Sequence, residues 1–420
     1  KENINFLFAV GGGSVIDGTK FLAAAALFEG DTWDILKKGI RVTKALPFAS
    51  VLTLPATGSE MNSGAVITRK STGEKLGMGS PVLFPKFSCL NPEVIKSLPQ
   101  RQLKNGIVDA FTHVLEQYMT YPIGAELQDR ISESILKTLI DIAPKVIFEP
   151  YDQNIASNFM WCCTMALNGL IQKGVPTDWA THMIGHELTA KYDIDHAMTL
   201  AIIFPNLWRY KFENKKEKLA QYAERIFSVN TGSTEEKADQ AIQKTIEFLH
   251  SIDVKTKLSE YTENYNGFSD EVKQTFETRN WVALGERKDI TPEDVRKIVE
   301  MRHELTAKYD IDHAMTLAII FPNLWRYKFE NKKEKLAQYA ERIFSVNTGS
   351  TEEKADQAIQ KTIEFLHSID VKTKLSEYTE NYNGFSDEVK QTFETRNWVA
   401  LGERKDITPE DVRKIVEMSC

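Results

Sequence analysis

A carboxylate and several histidines occur at helical spacing in the middle of the chain. Asp109 and His113 are four residues apart in a segment with helical periodicity, so both side chains project from one face. His182 and His186 repeat this spacing, and His196 follows after a short turn, although the whole chain has only eight histidines. Pairs of such side chains on neighbouring helices are a natural way to build a metal site. The pattern predicts one here, with buried core or capping histidines as the alternative.

The donor types narrow the choice of ion. A site that combines a carboxylate oxygen with imidazole nitrogens suits borderline divalent ions, whereas Mg(II) and Ca(II) prefer oxygen ligands. We therefore expect Fe(II) or Zn(II).

A glycine-rich turn near the N-terminus offers a second kind of site. Gly11, Gly12, Gly13 and Ser14 lie between a predicted buried strand and a predicted helix. Backbone N–H groups and a helix N-terminus in this arrangement can cradle a pyrophosphate. The turn is not a G-x-G-x-x-G motif, and a plain structural turn is an equally good interpretation at this stage.

The elements that must position these residues divide the chain into parts. Strands are predicted over residues 4–10 and 48–54, with a helix over 15–28 between them, which is an α/β pattern. From residue 99 onward helical periodicity dominates, and the predicted helices cover residues 101–118, 127–147, 154–172 and 179–192. We predict a partial α/β dinucleotide-binding domain over residues 1–98 and an all-α metal-binding domain over residues 99–301. The active site is expected in the cleft between them.

The C-terminal part of the chain is a duplicate. Residues 186–301 (the first copy) and 303–418 (the second copy) are identical, so the third predicted domain, residues 302–420, repeats the helical segment. His303 and His313 repeat His186 and His196, but the position that corresponds to His182 is Val299. The second copy therefore cannot build a metal site by itself. We expect the first copy to complete the site, because His182 and His186 share one continuous helix. The spare copy is expected to expose apolar surface, giving a homodimer or a swapped oligomer.

Composition excludes several classes of protein. The 420 residues carry a net charge of −7, without the basic excess that a nucleic-acid-binding protein needs. No apolar run approaches the roughly 20 residues of a membrane-spanning helix. The N-terminus lacks a signal-peptide pattern, and the four cysteines form no C-x-x-C pair. These features lead us to expect a cytoplasmic protein.

Four segments together resemble the iron-containing (group III) alcohol dehydrogenases, in particular the branch of NADPH-dependent butanol dehydrogenases and aldehyde reductases. The resemblance covers residues 1 to about 301 in the family's order. The segments are residues 9–20 (AVGGGSVIDGTK), 52–60 (LTLPATGSE), 106–113 (GIVDAFTH) and 178–188 (DWATHMIGHEL).

The resemblance implies roles for individual residues. It makes Asp109, His113, His182 and His196 the metal ligands, and it places His186 near the nicotinamide and the substrate as a proton relay. The residues implied to bind the cofactor are Gly12, Gly13, Ser14, Asp17, Thr53, Thr57 and Lys75. It implies interconversion of small primary alcohols and aldehydes, with NADP(H) favoured over NAD(H).

The sequence also departs from the family pattern. The family has roughly 80–90 residues before the glycine turn, including the first strands and the adenosine pocket, whereas ten residues precede it here. We therefore expect an incomplete dinucleotide-binding domain. One alternative is a non-catalytic protein, either a metal-binding helical module or an inactive, truncated and duplicated derivative of such an enzyme. Another is a metal hydrolase. The glycine turn argues against the hydrolase, because hydrolysis needs no dinucleotide cleft.

Overall fold

The computed structural model describes residues 3–72, 74–262, 265, 267–300, 313–380, 382–395, 401 and 404–420. The chain divides into two compact units, Lys1–Met301 and Arg302–Cys420. His303 lies outside the described residues, as does the side chain of His313.

A parallel sheet forms the start of the first unit. Among the described residues it contains β1 (Leu7–Gly11), β2 (Phe48–Leu52) and β5 (Ser88–Leu90), in the order β1-β2-β5. Leu7 pairs with Phe48 and Ser50 with Ser88, so the carboxyl ends of β1 and β2 lie side by side. In open parallel sheets ligands bind at this edge.

The first helix begins earlier than the sequence predicted. Helix α1 spans Gly13–Ala25, so Gly13 and Ser14 belong to its first turn rather than to the preceding loop. Gly12 is the N-cap, and its carbonyl accepts hydrogen bonds from the N–H groups of Val15 and Ile16 at 3.1 Å each. The helix ends at Ala25, and the predicted extension to residue 28 is wrong because a turn follows. The strand predicted over residues 4–10 is shorter and shifted, and the strand over 48–54 ends at Leu52.

Between β2 and β5 the chain forms an antiparallel hairpin that the sequence patterns did not reveal. Strands β3 (Gly64–Arg69) and β4 (Glu74–Gly79) pair from Gly64 with Gly79 to Arg69 with Glu74. A short helix, α2, spans Asp34–Lys37, and 3-10 turns cover Ser59–Met61, Pro81–Leu83 and Pro92–Ser97. The hairpin adjoins α1 and carries Lys75 on β4.

Helices make up the rest of the first unit. Helix α3 is the central one, since its residues from Gly106 to Tyr118 are buried, and it packs against α4, α5 and α7. The helices are α3 (Gln100–Tyr118), α4 (Glu126–Phe148), α5 (Gln153–Leu167), α6 (Ala180–Tyr192), α7 (His196–Tyr210), α8 (Phe212–Phe227), α9 (Thr234–Ser251), α10 (Phe268–Thr278) and α11 (Pro292–Glu300). The predicted helix over 154–172 ends at Leu167, and a 3-10 turn covers Leu258–Glu260.

The main hydrophobic core joins the sheet to the helices. It includes Ala9 and Phe48 of the sheet, Ile16 of α1 and Phe111 of α3. One continuous core therefore holds the glycine turn and helix α3 in a fixed relation.

The second unit contains the helices α12 (His313–Tyr327), α13 (Phe329–Phe344), α14 (Thr351–Ser368), α15 (Phe385–Thr395) and α16 (Pro409–Met418), with a 3-10 turn over Leu375–Glu377. It has two small apolar clusters, one around Ile319 and Phe385 and the other around Leu336 and Ile359. Among the described residues no helix is long and apolar enough to cross a membrane.

Candidate metal and cofactor site

Three imidazole nitrogens converge on one carboxylate oxygen. Asp109 and His113 lie one turn apart on α3, while His182 lies on α6 and His196 is the first residue of α7. The Nε2 atoms of His113 and His182 are each 3.7 Å from Asp109 Oδ1, and Nε2 of His196 is 4.0 Å from the same oxygen. The rings of His113 and His182 are stacked with centroids 4.7 Å apart. Residues 87 positions apart in sequence thus meet at one point.

Two of the convergent atoms lack the hydrogen bonds that buried polar atoms require. Within the described part of the chain, Asp109 Oδ1 and His182 Nε2 have no hydrogen-bond partner. An unsatisfied buried polar atom costs about 1–3 kcal/mol. Ligand atoms of Asp109, His113 and His182 all lie within 4.8 Å of one another. One carboxylate and three imidazoles fit Fe(II) or Zn(II), so the residues present suit a divalent metal.

The electrostatics of the cluster favour neutral imidazoles at His113 and His196 beside an ionised Asp109 carboxylate. Burial would raise the pKa of Asp109, but the neighbouring histidines lower it overall. Burial lowers the pKa of His113 to about 4 and that of His196 to about 3. His182 differs: burial opposes its charge, but Glu116 and Asp109 raise its pKa to about 9.

A separate ion pair fixes the position of His196. Asp195 precedes it, and the guanidinium of Arg101 donates two hydrogen bonds to the Asp195 carboxylate, at 2.5 and 2.6 Å. Asn105 Nδ2 donates a third at 3.0 Å. Both partners lie on α3, the helix that carries Asp109. Helix α3 therefore carries Asp109 and His113 of the cluster and also holds the start of α7 in place.

His186 lies beside the cluster without joining it. It is one turn after His182 on α6, and its ring centroid is 4.8 Å from that of His196 and 6.4 Å from that of His182. Burial, together with the charge of Lys75, keeps the pKa of His186 well below its ordinary value. A neutral imidazole therefore adjoins the metal-binding side chains.

Close packing links the glycine turn to the helix that carries Asp109 and His113. A side chain at Gly13 would come within 2.4 Å of Thr57 Oγ1, and one at Gly106 would come within 2.4 Å of the Pro55 carbonyl. The loop after β2 therefore touches α1 on one side and α3, three residues before Asp109, on the other. Thr53, at the end of β2, donates its N–H to the Gly11 carbonyl at 3.1 Å. The predicted cofactor residues Gly12, Gly13, Ser14, Thr53 and Thr57 are thus in one region.

Asp17 has partners within the protein. Its two carboxylate oxygens accept hydrogen bonds from Ser59 Oγ at 2.5 Å and from the Val66 N–H at 2.8 Å. Lys20, which the sequence reasoning missed, is fully buried and donates to Ser59 Oγ, Asn62 Oδ1 and the Gly64 carbonyl. These contacts fasten α1 to the loop behind the glycine turn, a structural use of Asp17 that was not anticipated.

Lys75 is half-buried on β4. Burial lowers its pKa, while the charges of Asp109, Asp17 and Glu187 oppose that shift. The Lys75 ammonium group interacts electrostatically with Asp17, on α1, and with Asp109, in the histidine cluster. Its positive charge therefore acts on both parts of the candidate site.

Models of two protein families match this chain. The model described as "Iron-containing alcohol dehydrogenase" matches residues 1–92, and "Fe-containing alcohol dehydrogenase family, C-terminal" matches residues 104–300 and again 298–420. The chain belongs to the iron-containing alcohol dehydrogenase family.

Individual relatives agree with this assignment. The NADPH-dependent aldehyde reductase YqhD of Escherichia coli is 49% identical over 303 residues, which are 71% of this chain and 78% of the relative. The probable NADH-dependent butanol dehydrogenase 1 of Bacillus subtilis is 43% identical over 304 residues, 71% and 77% of the two chains. The crystal structure of Escherichia coli YqhD matches with a TM-score of 0.69 over 71% of this chain and 77% of that one. NADH-dependent butanol dehydrogenase A from Thermotoga maritima matches with a TM-score of 0.66 and 35% identity, over 71% and 76%.

These findings confirm the predicted family, the combination of an α/β dinucleotide-binding part with an all-α part, and the class of alcohol and aldehyde oxidoreductase. They favour that class over the non-catalytic module and the hydrolase. Family membership implies a metal and a nicotinamide dinucleotide, and the relatives include both NADPH-dependent and NADH-dependent enzymes.

Proposed function

We propose that this chain interconverts small primary alcohols and aldehydes by hydride exchange with NADP(H), preferred over NAD(H). Asp109, His113, His182 and His196 would hold Fe(II) or Zn(II). The observation that carries the proposal is the convergence of three Nε2 atoms on Asp109 Oδ1 within one core that also holds the glycine turn. The glycine turn and the histidine cluster together offer the dinucleotide site and the metal site that a metal-dependent dehydrogenase requires.

A bound divalent ion supplies Lewis-acid polarisation of the substrate oxygen, and a bound nicotinamide supplies or accepts the hydride. The protein contributes position and charge. Asp109 keeps a negative charge among neutral imidazoles, which offsets part of the charge of a divalent ion. The surrounding side chains, most of them buried, keep water away from a site that works by electrostatics.

The proton step is assigned to His186. Its imidazole is adjacent to His196, and its neutral form can accept a proton at one ring nitrogen while releasing one from the other. Such a relay would carry the hydroxyl proton of an alcohol away from the site, or return it to the product of aldehyde reduction, without a lasting imidazolium ion.

The cofactor is assigned to the region around the glycine turn. The first N–H groups of α1, from Gly13 and Ser14, would meet the pyrophosphate at the positive end of the helix dipole. Thr53 and Thr57 would line the same cleft. The ammonium of Lys75 would face the part of the cofactor nearest to Asp109, while Asp17 would fasten the loops behind the turn and border the nicotinamide side.

The test combines metal analysis with an NADPH-linked assay of butanal reduction on the full chain. H182A should lose metal and turnover together. H186A should keep its metal and turn over about 10²–10⁴-fold more slowly, the usual contribution of a general acid or base. H303A, which changes the duplicate of His186, should behave as the parent, and NADH should support a lower rate than NADPH. Unchanged metal content in H182A would overturn the assignment of the site.

We also propose that the chain associates with itself through the second copy. Phe321, Ile343, Phe365 and Ile369 (the second-copy face) are exposed large apolar side chains. Exchange of copies between chains cannot cover this face, because each chain brings two copies of the segment but a single α3. The face of one chain is therefore expected to pair with that of another.

A further inference from the structure

Helix α6 receives its N-terminal cap from a different helix. Its N-cap residue, Trp179, has a left-handed backbone with φ of 63°. Asp178 accepts the first N–H, that of Ala180, and the carboxylate of Glu116 on α3 accepts the next two. Glu116 Oε1 accepts hydrogen bonds from the N–H of Thr181 at 2.7 Å and of His182 at 3.4 Å. A carboxylate at a helix N-terminus is stabilised by these donors and by the helix dipole.

The other oxygen of Glu116 engages the His182 side chain. Oε2 forms a short hydrogen bond with Nδ1 of His182, and both side chains are buried. When Nδ1 carries the proton and donates it to the carboxylate, Nε2 keeps its lone pair. That Nε2 atom is the one 3.7 Å from Asp109 Oδ1 and without a hydrogen-bond partner among the described residues.

The other two histidines of the cluster lack such a partner. In the part of the chain that the structure describes, Nδ1 of His113 and Nδ1 of His196 are both without a hydrogen bond. Glu116 therefore acts on one ligand. It also adds a second negative charge near Asp109, so a divalent ion with these two carboxylates and neutral imidazoles would be balanced in charge.

We propose that Glu116 is a positioning residue that fixes His182 in the tautomer and orientation needed to bind the metal. The inference rests on the metal site of the proposed function. Carboxylates that orient metal-binding histidines in this way are expected to change metal affinity by about 10–100-fold when they are lost. The spacing of Asp109, His113 and Glu116, four and then three residues, places all three on one face of α3.

The decisive variant is E116Q, because glutamine keeps an oxygen for the N–H groups of Thr181 and His182. Its amide nitrogen would then face Nδ1 as a donor, which favours the proton on Nε2 and removes the ligand lone pair. Cobalt(II) affinity of the full chain, measured by competition with a chelator, should fall by about 10–100-fold. The metal-free protein should unfold at a denaturant concentration similar to that of the parent.

E133Q is the matched control. Glu133 is also a buried carboxylate, and it accepts hydrogen bonds from Tyr118 at 3.1 Å and Arg225 at 2.9 Å. Its cobalt affinity should equal that of the parent. Affinity within twofold of the parent in E116Q, or an equal loss in both variants, would show that Glu116 serves the fold alone. If H182A loses its metal while E116Q binds normally, the positioning role fails and the proposed function stands.

A second measurement uses the parent protein and does not depend on how E116Q folds. Nitrogen-15 NMR of metal-free protein, recorded at a pH above about 9 where His182 is neutral, distinguishes the two neutral tautomers of histidine, and H182A identifies the His182 signals by their loss. We expect a proton on Nδ1 of His182. A proton on Nε2 alone would overturn the proposal.

Discussion

The two copies of the duplicated segment have one sequence and two environments. Contacts within each copy correspond. Ser233 and Ser350 form identical capping boxes with Glu236 and Glu353. Tyr210 and Tyr327 each donate a hydrogen bond to an aspartate 84 residues later, within the same copy. Their burial differs. Phe248 is 7% exposed and Ile252 is fully buried, whereas their duplicates Phe365 and Ile369 are 54% and 55% exposed.

This difference separates features that depend on the sequence of the segment from features that depend on the rest of the fold. Phe248 lies against Phe111 of α3, with ring centroids 5.2 Å apart, and Asp253 is 3.2 Å from the amino group of Lys104 on the same helix. Helix formation and capping need nothing beyond the segment itself. Burial of the apolar face of the segment, and the proposed use of His196 as a metal ligand, need α3.

The largest difference between the copies is expected in metal binding. H196A removes a side chain whose Nε2 is 4.0 Å from Asp109 Oδ1. Metal affinity should therefore fall further than in E116Q, for which a loss of about 10–100-fold is expected. H313A makes the same change in the second copy and should leave metal content unchanged. Metal analysis after dialysis against a weak chelator checks both variants. Loss of metal in H313A would mean that the second copy also reaches the site.

A smaller difference is expected in stability. F248A should lower the free energy of unfolding of the first unit by about 3–5 kcal/mol, because it leaves a cavity against α3. At protein concentrations too low for self-association, F365A removes an exposed ring and should change it by no more than about 0.5 kcal/mol. Denaturant titration of both variants, with release of bound metal as the signal for the first unit, makes the comparison. Equal losses at this dilution would show that Phe365 is buried within its own chain.

Polar substitutions on the second-copy face are expected to have the smallest effect on the folded chain. Their effect on self-association should be clear. F365S and I369S together should weaken self-association while metal content and turnover stay at the parent level. Sedimentation velocity over a range of concentrations measures this change. A parent that stays monomeric at all concentrations would remove the basis of the proposed association.

Much of the fold followed from local patterns. The helices that carry Asp109 and His182 were predicted within one or two residues, because apolar side chains recur there at three- and four-residue spacing. The α3–α7 ion pair of Arg101 with Asp195 was not predicted, because its partners are 94 residues apart. Strands β3, β4 and β5 were missed, since each is partly exposed and has no strong alternation of apolar and polar residues.

The candidate site was predictable in its residue types but not in its arrangement. The resemblance to a known family supplied the set of Asp109, His113, His182 and His196, and the structure brings these four together. Glu116 could have been suspected from its spacing after His113 on one helix face. Lys20, which is fully buried and donates to Ser59, Asn62 and Gly64, could not, because a lysine in a helix is ordinarily exposed to solvent.

The sequence by itself determined where helices begin, which side chains share a helix face, and that the chain carries the parts of a metal-dependent dehydrogenase. Caps and helical periodicity depend on neighbours in sequence, so the described parts of the two copies form corresponding helices. The tertiary structure decided which copy buries its apolar face, which imidazole nitrogens meet Asp109, and which carboxylate orients His182. These outcomes depend on helix α3, which occurs once in the chain and can be covered by one copy at a time.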